Sequence, residues 1–293
     1  MSDLGQFFVD AILLGGLYTL MVVGLSLSFG IVRVINFAHG EAIMLGAYGA
    51  FWAFRIGGVD PLVALPLVMI AGGLVGFAIF KVSIRRVLDA PHINQILLTF
   101  GIGLVLQNLA LIAWSADERS VNPSYAFASI MIGEVVISVS RLIAFAVAVV
   151  LVGGLFLWLT RSELGRASRA LAENRIAAKL MGIDVNAIYG IAFAISAGLG
   201  AATGVLMSVI GAISPFMGFH MLVKGFAIII LGGLGSIMGS VIGAFVLAFA
   251  ETAVSYYVPG GIGWAEGVAF AFLFLILILR PRGILGQAVE EEG

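Results

Sequence analysis

The stretch TRSELGRASRALAENRIAAKLMGIDVN, residues 160–186, is an island of charge in an otherwise oily chain. It sets Arg161, Arg166, Arg169, Arg175 and Lys179 against Glu163, Glu173 and Asp184, a large share for a chain with only 15 basic and 16 acidic residues. Charge at that density stays in water, so the apolar runs on either side are separate membrane crossings. Thr160 and Glu163 have capping-box spacing and Gly182 is a stop signal, which together predict a helix. Within it Arg169 and Glu173 stand one turn apart, while Ile176, Ala177, Leu180 and Met181 form a narrow apolar stripe. Two readings of these residues are open: an interfacial helix that marks the cytoplasmic side, or a docking surface for a soluble partner.

Composition agrees with the membrane reading. Hydrophobic residues make up 61% of the 293 and charged ones 11%, with a mean hydropathy of +1.16. One soluble core could not bury that much apolar surface, so the expected class is an all-α, polytopic helical membrane protein. The 39 glycines exceed the usual share of roughly 7%, as expected where helices approach closely. Zero cysteines exclude disulfides, thiolate metal sites and cysteine nucleophiles. A net charge of −1 argues against nucleic acid as a partner. The first ten residues hold Asp3 and Asp10 but no Lys or Arg, so the first apolar run is expected to remain a permanent span.

Outward from the island, spans are expected at 6–28, 42–54, 62–80, 93–114, 142–159, 187–210, 236–257 and 262–279. That gives about eight transmembrane helices, with nine possible, in a single body, 1–293. The run Met221–Leu231 is too short to cross alone and is expected to be a broken or re-entrant helix. FGIVRVINFAHGE, residues 29–41, is too polar for lipid and too short for a domain. In LGGLGSIMGSVIGA, residues 231–244, Gly235, Gly239 and Gly243 fall four apart, which predicts one close-packing helical face. Lys81, Arg85 and Arg86, the island, and Arg280 with Arg282 fall on one side, taken as cytoplasmic by their positive charge. The amino terminus and the loop 115–140 are expected outside, and the carboxyl terminus, with its acidic tail Glu290–Glu292, inside.

Chemistry has few places to sit. A Walker A loop needs Lys followed by Ser or Thr, yet Lys81 precedes Val, Lys179 precedes Leu and Lys224 precedes Gly. Any nucleotide that drives this chain therefore binds elsewhere. Polar groups inside a membrane are costly and each needs a reason. Asn36, His39 and Glu41 either cap helix ends at the break or line a solute path. Asn94, Gln95 and Thr99, with Gln107 and Asn108, either bond to neighbouring helices or share a polar face on that path. Glu251 lies in an apolar run and must be paired or face water. Lys224 and Glu266 are expected to snorkel from helix ends. The histidines at 39, 92 and 220 make no metal-binding pair, and Ser, His and Asp assemble no nucleophilic site, so a non-catalytic chain without a metal is expected.

Three stretches, GLSLSFGIVRVINFAHGEAIMLGAYGA (24–50), GRASRALAENRIAAKLMGID (165–184) and LGGLGSIMGSVIGAFVLAFAE (231–251), together with a closing PRGILG (281–286), resemble the permease subunits of branched-chain amino-acid ABC importers, of the LivH type. The resemblance implies a translocation subunit in the bacterial cytoplasmic (inner) membrane. It would pair with a second, related permease, two cytoplasmic ATPase subunits that bind ATP and Mg, and a periplasmic solute-binding protein. It also implies that segment 161–186 is the coupling region, with Arg166, Arg169, Glu173, Asn174, Ala177, Ala178 and Gly182 toward the ATPase. Ala177, Ala178 and Gly182 match the Ala-Ala-x-x-x-Gly core of the importers' loop motif. Ile176 departs from it where Glu is usual, and the later Ile-x-Leu-Pro is absent. The alternatives are another small solute, such as a different amino acid, an amide or urea, or an ion-coupled secondary transporter using residues 29–41 and Glu251.

Overall fold

The computed structural model describes residues 2–264 and, beyond them, 267, 268, 270, 271, 274, 275, 278 and 283–285. The expected last span, Ile262–Leu279, is described only in part. Glu266, Arg280, Arg282 and the acidic tail lie outside them altogether, and with them the expectation for the carboxyl terminus.

The long helices are α1 (Ser2–Val32), α2 (His39–Gly57), α3 (Pro61–Val82), α4 (His92–Trp114), α5 (Val139–Arg161), α8 (Val185–Ile210), α9 (Met217–Gly232) and α10 (Ile237–Tyr257). Two short helices, α6 (Glu163–Glu173) and α7 (Arg175–Leu180), make up the island. Strands β1 (Ser129–Ile132) and β2 (Val135–Ser138) pair as an antiparallel hairpin with Ser129 opposite Ser138. The protein is an all-α, multi-pass membrane protein, and six of its described helices are long and apolar enough to cross a bilayer alone. The two expected spans missing from these six are 42–54, in α2, and 262–279, which lies only partly within the described residues. α9 has 16 residues, which at about 1.5 Å each is well short of a roughly 30 Å hydrocarbon core. α2 has 19 residues but carries His39, Glu41 and Arg55.

Helix α8 is the centre. Its small residues let α2 and α3 lie directly on its backbone: a Cβ on Gly204 would overlap the Ile43 carbonyl of α2, and one on Gly76 would crowd Ala197. α1 packs on α8, α5 and α10, burying Leu20, Val23 and Leu27 on one side and Met21, Val22 and Leu25 on the other.

Contacts at the two ends fix the topology. At one end Arg33 donates to the Ala172 carbonyl at 3.2 Å, Arg175 pairs with Asp89 at 2.7 Å, and Gly30 meets Gly235. Lys81, Arg85, Arg86 and the island all gather at this basic end. At the other end Tyr125 donates to Asp60 at 3.0 Å, Gln6 bonds Val136, and Arg119 pairs through its backbone with Ile213. The amino terminus and the 115–138 connection thus lie opposite the island.

Gly235 is not on the helical face that its spacing predicts. It sits in the turn before α10 with φ of 81°, a conformation glycine adopts freely, and it packs on Gly30. Gly239 and Gly243 do lie on α10, against the Gly232 and Ile228 backbones of α9.

Candidate functional site

The chain breaks after α1 and runs back along it, so that α2 begins beside Met21 of α1. Arg33 ends α1 with φ of 57°, and residues 33–36 carry no helix. Backbone groups exposed by such a break must be met inside the protein. Thr99 of α4 meets two of them: its hydroxyl accepts from Phe37 N at 3.2 Å and lies 3.0 Å from the Ile35 carbonyl, to which it donates. The Asn36 side chain accepts from Ala38 N at 3.1 Å. His39, fully buried, spans two helices, with Nε2 3.2 Å from the Met21 carbonyl and Nδ1 3.4 Å from Ser196 Oγ. Because the carbonyl can only accept, Nε2 carries the proton and Ser196 donates to Nδ1.

Beside His39, helices α2, α3, α4 and α8 enclose a cavity of about 220 Å³. Asn36 and His39 are its polar lining, and every other lining residue is apolar or glycine. Gln95 is buried but faces the basic end, where its amide nitrogen donates to the carbonyls of Val87, Leu88 and Ala90 at 3.1–3.2 Å. Asn94 is exposed at the start of α4. The candidate polar face of α4 is therefore divided: Thr99 serves the break, Gln95 closes the turn before its own helix, and Asn94 joins neither.

Glu41 differs from these neighbours. It is 5% exposed, and its Oε2 has no hydrogen-bond partner among the described residues. It lies between Gly103 of α4 and Gly218 of α9, with Gly40 against the Gly218 backbone.

Glu251 is paired. Lys224 of α9 reaches Glu251 Oε1 at 3.2 Å and the Tyr18 hydroxyl at 3.1 Å, while Tyr18 donates to Glu251 Oε2 at 2.6 Å. The Lys224 and Glu251 side chains are 13% and 4% exposed. Lys224 thus does not snorkel; it lies midway along α9, and its positive charge is taken up inside the protein.

The island is two helices rather than one. Ser162, not Thr160, caps α6 by accepting from Gly165 N at 2.9 Å. Asn174 breaks the run with φ of −150° and caps α7 by accepting from Ala177 N at 2.9 Å. Arg166, Arg169, Glu173 and Ala177 are exposed, Ala178 is buried, and Gly182 holds φ of 85°. The apolar stripe points outward: Ile176, Leu180 and Met181 are 72%, 83% and 83% exposed.

Among the described residues no group of three or more His, Asp or Glu could hold a metal ion.

The model of one family, described as "Branched-chain amino acid transport system / permease component", matches residues 7–279. The permease protein BraD of the high-affinity branched-chain amino acid transport system of Pseudomonas aeruginosa is 34% identical, over 98% of this chain and 97% of its own length. LivH, the corresponding permease protein of Escherichia coli, is 31% identical over the same shares. The D-allose transport system permease protein AlsC of Escherichia coli is 29% identical over 84% of this chain and 73% of its own. No solved structure matches the chain.

Proposed function

From the premise that this chain belongs to the family of permease components of branched-chain amino acid transport systems, we propose that it is one translocation subunit of an ATP-driven importer of branched-chain amino acids. The relatives that cover it nearly end to end carry that substrate class in their names, whereas the D-allose permease covers less. The chain works beside a second permease of similar kind in the cytoplasmic (inner) membrane. Solute comes from a binding protein outside, and two ATPase subunits with ATP and Mg supply the energy. By the positive-inside rule the basic end is cytoplasmic, which puts the amino terminus outside.

The observation that carries this reading is the α7 surface. A charged segment in water has no reason to display Ile176, Leu180 and Met181 unless something covers them. The segment is braced for load: Arg175 is pinned to Asp89, and Arg33 grips the end of α6. Arg166, Arg169, Glu173 and Ala177 offer the polar rim of a docking site, while Asn174, Ala178 and Gly182 shape it. A push from a closing ATPase dimer would pass from α6 and α7 into the ends of α1, α3 and α8, and so shift the balance between inward- and outward-open states.

Amide hydrogen exchange on the assembled transporter, compared with the permease pair alone, tests this. Residues 174–182 become protected when the ATPase subunits bind. Unchanged exchange there would remove the docking surface from the account.

A further inference from the structure

Two helices begin inside the membrane body, and they begin together. α2 starts at His39 and α9 at Met217, and the Gly40 and Gly218 backbones touch. Neither amino terminus receives a side-chain cap. The first N–H groups of a helix carry partial positive charge and attract an anion, most strongly at membrane depth where water is scarce.

Glu41 is the second observation. Its place in the first turn of α2 explains why a carboxylate is tolerated there. It does not explain the direction of Oε2, which lies beside Gly218 and accepts no hydrogen bond from any described residue. A buried carboxylate in that condition calls for a cation. None of the described basic side chains pairs with it, since Lys224 is committed to Glu251 and Tyr18.

The neighbouring groups limit what that cation can be. Gly103 and Gly218 are the residues packed beside the carboxylate, and a Cβ on Gly218 would come within 3.0 Å of Oε2. Toward the basic end, Phe37 stands between Phe226 and Phe100, at ring-centroid distances of 4.8 and 6.2 Å. The place therefore has an anionic group, two helix starts and a set of aromatic rings as neighbours. A free α-amino acid has the complementary set on one carbon: an ammonium, a carboxylate and an apolar side chain.

We propose that Glu41, between the amino termini of α2 and α9, receives the ammonium of the amino acid in transit, with its carboxylate directed to the open start of α9. This rests on the function proposed above and adds a residue-level station to it. Gly40 and Gly218 are the close approach that makes both partners reachable, and Phe37 closes the station toward the cytoplasm.

The test uses the whole transporter in proteoliposomes, with loaded binding protein and ATP, reading labelled leucine moved and phosphate released in the same sample. In Glu41→Gln, leucine moved per ATP falls at least tenfold, while stimulation of ATP hydrolysis by the loaded binding protein stays within twofold of the unsubstituted assembly. Glu41→Asp recovers part of the lost uptake. Leucine per ATP within twofold of the unsubstituted value in Glu41→Gln overturns the station. So does loss of stimulated hydrolysis along with uptake, because that assigns the carboxylate to assembly. An unsubstituted assembly that hydrolyses ATP but moves no leucine instead removes the function reading, and the ligand proposed here falls with it.

Discussion

The Lys224 ammonium stands 3.2 Å from the Glu251 carboxylate inside the helical body, joining α9 to α10, with the Tyr18 hydroxyl of α1 touching both. α9 is too short to cross the membrane alone, and this ion pair ties it to α10 and α1 from within. It also engages Glu251, one of the two buried carboxylates that an ion-coupled mechanism could use.

Removing one partner therefore costs more than removing both. Glu251→Ala leaves a buried ammonium, and a loss of about 3–5 kcal/mol is expected. The double change Lys224→Met with Glu251→Leu is expected to be near neutral, because two well-packed apolar groups replace the pair. Thermal unfolding of the single and double variants in detergent checks this. Equal destabilisation by both would mean that the pair contributes only packing.

Two backbone groups of the break before α2 are met by one hydroxyl, that of Thr99. Thr99→Val keeps the shape and strips the partner from Phe37 N and Ile35 O, and a loss of about 1–3 kcal/mol is expected for buried backbone groups left unmet. Thr99→Ser retains the bonds and should lie within about 1 kcal/mol of the parent. Unfolding midpoints of the two variants separate the hydrogen bonds from the lost volume.

The crossing of α2 over α8 tolerates no side chain at Gly204, where a Cβ would meet the Ile43 carbonyl and Ala47 N. Gly204→Ala should cost about 1–3 kcal/mol or more, because backbone cannot give way as a side chain can. Gly101, with nothing near its missing Cβ, is the control. Gly101→Ala should be neutral or stabilising by up to about 1 kcal/mol. Expression and thermal stability of the two report the difference.

Reversing charge at the rim of the docking surface separates coupling from folding. Arg166→Glu with Arg169→Glu is expected to weaken ATPase binding at least tenfold and uncouple hydrolysis from uptake. Both side chains are exposed, and Arg166 holds a loose 3.9 Å pair with Glu163 and a 3.4 Å bond to the Arg161 carbonyl, so stability should change by less than about 1 kcal/mol. Co-purification with the ATPase subunits and an unfolding curve on the same sample measure the two effects. Unchanged co-purification would place the contact elsewhere on the segment.

The membrane class and the charged island were legible because both are compositional: apolar length and charge density need no knowledge of contacts. The break near residues 29–41 was legible for the same reason, though not its consequence, that Thr99 repairs it from another helix. Spacing alone cannot rank the finer signals. Thr160 and Ser162 are both acceptable caps, and only the geometry selects Ser162. Asn174 was counted within one helix although its side chain ends the first and starts the second. Gly235 shares a four-residue period with Gly239 and Gly243 but stands outside the helix. Lys224 reads as a water-facing end because its partners, Tyr18 and Glu251, are distant in sequence. The hairpin of β1 and β2 lies in the 115–140 connection, whose sequence shows its charge and side but not its pairing.

Labelled leucine uptake into proteoliposomes, with and without the ATPase partners, tests the central claim most directly. The account predicts uptake only when the second permease, both ATPase subunits, loaded binding protein and ATP are present, and none under a proton or sodium gradient. Uptake by this chain alone, driven by such a gradient, would contradict it.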